Sequence, residues 1–340
     1  MPIGGEREVQ AGGSGDGLVE AAQVARRVAE RLGEAIVGRD DVIDLVVIAW
    51  LAGGHVLLED FPGSGKTMLA RALGESLDDG ASPLSAFRRI QFTPDLLPSD
   101  ITGVSVFDPE HGRFEFVPGP VFAHVVLADE INRTSPKVQS ALLEAMAERQ
   151  VTVDNVTYPL DPLFLVIATQ NPLGLAGTFP LPAPQLDRFL FKIRMVPIAR
   201  DAELEVVASY RQRLHPQPSS RPQVTRDELL AARDAVEREV RFAPELRVCL
   251  VDLARATRAD ARVAQGLSTR ALVQAVPALQ ARAMRRGRTF VSTDDVAALA
   301  VPLFAHRIVL APGVADPLPI VNDALAGPLE AATRATLHRF

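Results

Sequence analysis

The stretch EDFPGSGKT, residues 59–67, has the residue types of a phosphate-binding loop. Its glycines allow a tight turn, Lys66 supplies a cation and Thr67 a hydroxyl, as the pattern G-x-x-x-x-G-K-[ST] requires. Asp60 stands where that pattern has its first glycine, although aspartate tolerates positive φ better than most residues. The loop therefore predicts a nucleotide site, and a surface turn that happens to contain Gly-Lys-Thr is the alternative.

A second group of residues is acidic and follows an apolar run. VFAHVVLADEINR, residues 121–133, predicts a buried strand that ends in Asp129 and Glu130. An aspartate here can hold a magnesium shell, and the glutamate can orient an attacking water. Helix capping is the alternative role for these carboxylates, but Ser135 and Pro136 already provide a start for the next helix. We therefore predict that both carboxylates are free for chemistry.

The third candidate is an amide. The apolar strand in PLFLVIATQNP ends in Asn171, whose side chain can donate and accept hydrogen bonds and suits a sensor of a γ-phosphate. Residues 55–59 predict a short buried strand before the loop, and residues 67–77 predict a helix after it. Strand, glycine-rich loop and helix are the context in which backbone N–H groups and a helix N-terminus bind phosphate.

The remaining elements divide the chain into two parts. We predict a disordered tail at 1–17, an α/β nucleotide-binding core at 18–214, a linker at 215–224 and an α-helical domain at 225–340. Within the core, VSVF and RFEFV flank one hairpin turn, and QVTV and VTYP flank another at Asp154-Asn155. The last part reads as wholly helical, with a capping box at Thr225 and Glu228 and further N-caps at Ser268 and at Ser292 or Thr293.

Composition narrows the function classes. The 340 residues are 47% hydrophobic and 23% charged, which is the balance of a soluble globular protein. No apolar run approaches the ~20 residues needed to span a membrane. The one cysteine, Cys249, fits a packed core position and a reducing cytoplasm, and the six histidines lack the spacing of a zinc site. A net charge of −6 argues against a general nucleic-acid binder.

Several long motifs in order resemble the MoxR-type AAA+ ATPases over roughly residues 20–340. EDFPGSGKT resembles the Walker A motif of that family, VVLADEINR its Walker B motif and IATQNP its sensor 1. FPLPAPQLDRF is similar to the stretch that carries an arginine finger, and GLSTRA to sensor 2. The resemblance implies a parallel sheet with flanking helices, a helix-2 insert, a pre-sensor-1 hairpin and a C-terminal α-helical lid.

The resemblance also implies ATP and Mg²⁺ as cofactors and a homo-oligomeric ring, usually a hexamer, with sites between subunits. Lys66 would contact the β- and γ-phosphates, Thr67 and Asp129 the magnesium, Glu130 the water and Asn171 the γ-phosphate. The residues implied to surround the nucleotide are Val37, Gly38, Asp60, Pro62, Gly63, Ser64, Gly65, Lys66, Thr67, Met68 and Asp129.

Two arginines complete the implied site. Arg188 would reach the phosphates of the neighbouring subunit, with an ordinary surface salt bridge as the alternative. Arg270 would act as sensor 2 from the lid; it follows a predicted N-cap, where a cation opposes the helix dipole unless an anion lies nearby. Arg133 is a second candidate for action across the interface, and an acidic partner within its own chain is equally compatible with the sequence.

The sequence is compatible with three functions. The resemblance implies a chaperone-like motor that remodels protein complexes or assists metal-cofactor assembly, often with a VWA-domain adaptor. A nucleic-acid motor is the second, but the hairpin tips, DPEHG and DN, carry no lysine or arginine to follow phosphates. A nucleotide-gated scaffold is the third, although Lys66 and Glu130 are both present. The hairpin at 104–117, with Phe107, Phe114 and Phe116, is the predicted adaptor contact; packing of these aromatics on the core is the alternative.

Overall fold

The computed structural model describes residues 16–59, 63–78, 80, 84–171, 178–211, 219 and 221–337. Most of the predicted tail, half of the predicted linker and the loop residues Asp60 and Pro62 lie outside these residues. The first helix begins at Asp16, two residues inside the predicted tail.

The first part of the chain alternates strands and helices. In chain order its elements are α1 (Asp16–Ala35), α2 (Asp40–Leu51), β1 (Val56–Glu59), α3 (Lys66–Gly74), β2 (Leu77–Asp78), β3 (Ser85–Gln91), α4 (Pro98–Thr102), β4 (Gly103–Asp108), β5 (Arg113–Pro118), β6 (Ala123–Asp129), α5 (Pro136–Glu148), β7 (Gln150–Val153), β8 (Val156–Pro159), β9 (Leu165–Gln170), α6 (Ala183–Leu186), β10 (Phe191–Arg194) and α7 (Arg200–Ala208).

Five of these strands form a parallel sheet in the order β10-β1-β9-β6-β3. Its three central strands, β1, β9 and β6, are mainly apolar because both faces of the sheet are covered there. Val56 and Leu58 of β1 pack into one core with α1, α2 and α3, whereas Leu57 packs into the other with α5. The carboxyl ends of β1, β6 and β9 therefore meet at one edge, where ligands bind in open α/β sheets.

Both predicted hairpins are present. β4 pairs antiparallel with β5, and β7 pairs antiparallel with β8 around Asp154 and Asn155. These two turn residues have φ values of 49° and 62°, as a two-residue hairpin turn requires. The hairpins contact each other, since Phe116 stacks on Tyr158 at 3.9 Å between ring centroids.

The second part of the chain is mainly helical. In chain order its elements are β11 (Val224–Thr225), α8 (Arg226–Glu239), α9 (Pro244–Ala259), β12 (Val263–Gln265), α10 (Thr269–Arg285), α11 (Thr293–Phe304), β13 (Val309–Leu310) and α12 (Leu318–Leu337). The prediction of a wholly helical region from Thr225 onward is wrong, because β12 and β13 form a small antiparallel ribbon and β11 pairs with β2 of the core. The strands of the ribbon and β11 are too short to show a periodic pattern in the sequence.

The helical part is fixed to the first two helices of the chain. Arg285 of α10 donates to the Asp44 carboxylate at 2.5 Å and to the Ala25 carbonyl at 3.2 Å. Arg282 and Arg286 approach the same carboxylate at 3.8 and 3.7 Å. A single aspartate on α2 therefore pairs with two arginines of α10 and with Arg286, the residue that follows this helix. One continuous apolar core also joins the two parts.

Two further predictions from the sequence concern Cys249 and membrane-spanning segments. Cys249 is buried in α9, and burial raises the pKa of its thiol to about 11, which suits a packing role. No helix among the described residues is both long and apolar enough to cross a membrane.

Candidate functional site

The loop after β1 forms a phosphate-sized cradle. Gly63 and Gly65 have φ values of 93° and 92°, in the region that favours glycine, and Gly65 is the N-cap of α3. A Cβ added at Gly63 would meet nothing within 4 Å, so the backbone faces open space. Lys66 and Thr67 begin the helix and thus stand at its partially positive end.

This loop opens onto a cavity of about 280 Å³ that unites the predicted chemical groups. Its lining residues are Gly63, Ser64, Gly65, Lys66, Thr67, Met68, Asp129, Glu130, Thr169, Gln170 and Asn171. The parallel register explains the meeting, because Ala128 of β6 lies opposite Ala168 of β9 and the next residues of both strands face the loop. The structure therefore places the cation, the hydroxyl, both carboxylates and the amide around one space.

Thr169 joins the two carboxylate residues. Its hydroxyl donates to Oδ1 of Asp129 at 2.7 Å and accepts from the backbone N–H of Glu130 at 2.8 Å. Glu130 adopts a left-handed backbone, with φ 58° and ψ 49°, which is uncommon for a residue other than glycine. The threonine therefore fixes both the side chain of Asp129 and the backbone turn that aims Glu130.

Neither carboxylate caps a helix through its side chain, as predicted, but the structure gives both of them other partners. Arg89 at the end of β3 donates to Oδ2 of Asp129 from Nη2 at 2.6 Å and from Nε at 3.2 Å. Oε2 of Glu130 accepts from Gln91 at 3.0 Å and pairs with Arg133 at 3.2 Å. Arg133 thus has an acidic partner in its own chain. β3 runs beside β6 in the sheet, so its polar end reaches these carboxylates.

A second cavity of about 600 Å³ continues from the loop and shares Gly63, Ser64, Gly65 and Met68 with the first. Its other lining residues, which are mainly apolar, are Ala35, Ile36, Val37, Arg39, Met195, Val196, Pro197, Ile198, Glu203, Val206 and Val207. Val37 is among them, and its contact with an adenine stays a prediction. Gly38 lies behind this wall, where an added Cβ would be 2.6 Å from that of Ala202. An apolar chamber next to a phosphate cradle has the shape that a nucleoside requires.

The two predicted arginines lie elsewhere. Among the described residues, neither Arg188 nor Arg270 lines either cavity. Arg188 follows α6, and the described residues give its side chain no hydrogen bond or ion pair; Arg270 is exposed in the first turn of α10. Asp187, next to Arg188, accepts from Ser268, the N-cap of α10, at 3.2 Å, so the two arginines belong to one region.

Comparisons with known proteins agree with this geometry. Residues 55–191 match the family described as "ATPase family associated with various cellular activities (AAA)", and residues 255–324 match an AAA lid domain. The chain is 36% identical over 307 residues to Chaperone MoxR1 of Mycobacterium tuberculosis, covering 88% of this chain and 79% of that protein. It is 31% identical to Protein MoxR of Methylorubrum extorquens, covering 87% of this chain and 90% of that one.

The chain belongs to the MoxR-type AAA+ ATPases. It is also 45% identical to the uncharacterised protein YeaC of Bacillus subtilis over 286 residues, 84% of this chain and 87% of YeaC. A crystal structure from Cytophaga hutchinsonii, described only as a candidate ATPase, superposes with a TM-score of 0.81 at 35% identity and covers 92% of this chain and 96% of that one. The AAA+ core and lid predicted from sequence are confirmed.

The site fits the magnesium nucleotide that an AAA+ ATPase uses. A carboxylate offers about four lone-pair sites, and Arg89 and Thr169 use three of those on Asp129. One site on Oδ1 is left to accept from a magnesium-bound water, and Thr67 lines the same cavity. Magnesium usually keeps several waters and takes only one or two carboxylates, so this donor set suits it.

Sequence reasoning missed four polar residues of this site: Arg89, Gln91, Thr169 and Gln170. Thr169 lies in the motif IATQNP, two residues before Asn171, and could have been found from the rule that neighbouring parallel strands end together. Arg89 and Gln91 lie in β3, a strand that was not predicted from the sequence. The short alternating sequence of this strand did not indicate that it lies beside β6, the strand that ends in Asp129.

Thr169→Val is expected to reduce kcat for ATP hydrolysis by about tenfold or more, with ATP affinity retained. Valine keeps the shape but leaves the Glu130 N–H unpaired and Asp129 short of a donor, a loss of about 1–3 kcal/mol. Phosphate release and thermal unfolding are the measurements. The matched control is Thr257→Val, because Thr257 is a buried lid threonine that also accepts from a backbone N–H, that of Leu267 at 3.2 Å. Equal turnover in the two variants would remove Thr169 from the site's chemistry.

Proposed function

We propose that this AAA+ protein hydrolyses ATP in a magnesium-dependent reaction and uses the energy to remodel other proteins. The observation that supports it is the single cavity in which Lys66, Thr67, Asp129, Glu130 and Asn171 meet beside an apolar chamber. In this proposal Lys66 and the loop N–H groups bind the phosphates, and Thr67 and Asp129 hold the magnesium shell. Oε1 of Glu130 polarises the water, since Oε2 is already bonded to Gln91 and Arg133.

The proposed active assembly is a homo-oligomeric ring, with a hexamer as the expected size. Arg188 and Arg270 support a ring, because among the described residues neither arginine lines the nucleotide cavity of its own chain. A cation is needed where charge develops on the transferred phosphoryl group, and a neighbouring subunit can supply it. Arg133 is the weaker candidate for this role, since it pairs with Glu130 within its own chain.

Remodelling of proteins is the biological role we propose, with metal-cofactor assembly as one form of it. One relative is named a chaperone, which supports this role over the others. Action on nucleic acid has less support, because the tip of the first hairpin carries Glu110 and His111, with Asp108 paired to His111 at 2.5 Å. A scaffold without turnover has less support still, because Lys66, Asp129 and Glu130 line one cavity.

A VWA-domain protein is the adaptor we propose, and the β4–β5 hairpin is its proposed contact. Phe116 packs against Tyr158 and Phe122, so for this residue the packing alternative holds. Phe107 and Phe114 do not pack into the core: their side chains are 52% and 71% exposed and touch each other edge to face. Large exposed aromatic side chains of this kind are typical anchors of protein interfaces.

Replacing Phe107 and Phe114 with serine is expected to reduce capture of a purified VWA-domain protein by at least about tenfold, because an anchor residue contributes roughly 2 kcal/mol or more. Both side chains are exposed, so the ATPase rate and thermal unfolding should be unchanged. Phe290→Ser is the control, since that lid phenylalanine is similarly exposed, at 47%, and lies far along the chain from the hairpin. Undiminished capture by the double variant would place the adaptor elsewhere.

The proposed reaction is tested by measuring phosphate release from ATP by the purified protein with and without Mg²⁺. Hydrolysis that requires magnesium supports the proposal. ATP binding without any phosphate release, in protein shown to form rings, would favour the nucleotide-gated scaffold instead.

A further inference from the structure

Arg188 lies in a short segment of the core that several residues of the lid contact. α6 is one turn long, and Arg188 is flanked by Asp187 and by Phe189, whose side chain is fully buried. The short 3₁₀ turn Ala305–Arg307, between α11 and β13, packs against this segment. The position of Arg188 is therefore determined partly by the core and partly by the lid.

The strongest of these contacts come from Arg307. Its side chain is 1% exposed and donates to Oδ1 of Asp187 at 3.2 Å and to the carbonyl of Phe189 at 2.8 Å. A longer contact reaches the carbonyl of Leu190 at 3.4 Å. The planar guanidinium thus bonds to residues on both sides of Arg188, a geometry that a lysine ammonium cannot reproduce.

Two further lid contacts converge on the same segment. Nε2 of His306 lies 3.0 Å from the Phe189 carbonyl; burial holds the pKa of this imidazole near 3, so it is neutral and its Nε2–H donates. The Ser268 hydroxyl donates to Oδ2 of Asp187 at 3.2 Å and also caps α10, which carries Arg270. One carboxylate therefore links the element that carries Arg188 to the element that carries Arg270.

We propose that Asp187 and Arg307 are positioning residues that set Arg188 and Arg270 in the geometry needed at the neighbouring subunit's phosphates. The inference rests on the proposed action of Arg188 in trans and adds that the lid determines where that arginine points. Arg307 is bonded to the Asp187 carboxylate, Arg188 is next to Asp187 in the chain, and Arg270 is close enough to Arg307 to lower the pKa of its guanidinium. The Asp187 carboxylate therefore offsets part of the charge of these three cations. Without it, their mutual repulsion would spread them apart.

A purely structural pin is the competing explanation, since a buried arginine that loses its partner destabilises a protein. The two explanations differ in which subunit of an interface needs the residue. A positioning residue is needed in the subunit that donates the arginine and not in the subunit whose own cavity binds ATP. A structural pin is needed equally in both.

Mixed rings separate these roles. The donor subunit carries Glu130→Gln, which silences its own site, and the recipient carries Arg188→Ala, which leaves its own cavity intact but removes the arginine it would donate. Arg307→Lys is added first to the donor and then, in a second experiment, to the recipient. Turnover by the mixed rings is expected to fall about 10²-fold in the first case, because a misplacement of about 1 Å can cost that much. In the second case it is expected to change less than twofold.

Asp187→Asn provides an independent variant, because asparagine keeps the shape and the acceptor for Ser268 but loses the charge. It is expected to lower turnover in the donor and not in the recipient. Arg262→Lys is the control in both roles, since this lid arginine pairs with Asp260 at 2.7 Å and Asp323 at 2.9 Å, and none of its contacts reach residues 187–190.

The outcomes are distinct. Equal losses in donor and recipient, or no loss in the donor, would overturn the positioning role while leaving the trans arginine intact. If donor subunits without a lid change fail to restore turnover to the recipient in confirmed mixed rings, the trans action of Arg188 is overturned, and the positioning role with it.

Discussion

Lys66→Ala is expected to weaken ATP binding by about 10²-fold or more. Lys66 is the first residue of α3 and lines the cavity together with Thr67 and the loop glycines. Its ammonium group would make charge-assisted hydrogen bonds to phosphate oxygens there. Each such bond contributes roughly 1.5–3 kcal/mol, and every 1.4 kcal/mol is tenfold in affinity. Titration calorimetry with ATP and magnesium measures the loss directly.

Lys137→Ala is the matched control for this experiment. Lys137 is also a lysine in the first turn of a helix, α5, but it is exposed and does not line the cavity. Its replacement should leave ATP affinity unchanged. ATP binding by Lys66→Ala at the affinity of Lys137→Ala would show that EDFPGSGKT is not the phosphate loop.

Arg188→Ala is expected to bind ATP normally and to hydrolyse it about 10³-fold more slowly, as removal of other trans-acting arginines does. The separation of binding from turnover follows from the structure, since Arg188 lies outside the lining of the nucleotide cavity of its own chain. Steady-state phosphate release and ATP affinity are measured on the same preparation.

The control here is Arg200→Ala, because Arg200 is a nearby exposed arginine whose contact with Asp201 is 3.8 Å. It should hydrolyse ATP at the wild-type rate. A tenfold loss of ATP affinity in Arg188→Ala would indicate that this arginine acts within its own subunit.

Several features of this fold follow from local sequence alone. β1, the glycine loop and α3 are contiguous, so their arrangement needs no long-range information. The Asp154-Asn155 turn also follows from local chemistry, because these residue types tolerate the positive φ values that both adopt. The capping box of Thr225 and Glu228 was predictable for the same reason, and it is present with Glu228 N–H bonded to Thr225 at 3.2 Å.

Other features depend on which strands lie side by side, which the chain order does not state. Gln91 reaches Glu130 only because β3 borders β6, and Thr169 reaches Asp129 only because β9 borders it on the other side. The position of the carboxylates at the end of β6 was therefore predictable from sequence, but the partners Gln91 and Thr169 were not. The links from the lid to Asp44 and Asp187 are likewise contacts between distant segments, and no local pattern indicates them.

Phosphate binding and water activation are separate functions of one cavity in the proposed reaction, and Glu130→Gln tests this separation most directly. ATP affinity and phosphate release are measured for this variant and for wild-type protein in the presence of magnesium. Glutamine keeps the shape of Glu130 but cannot take a proton from water, a function that contributes about 10²–10⁴-fold. We expect ATP affinity within twofold of wild type and phosphate release lower by about 10²-fold or more. Hydrolysis by Glu130→Gln at the wild-type rate would contradict the account.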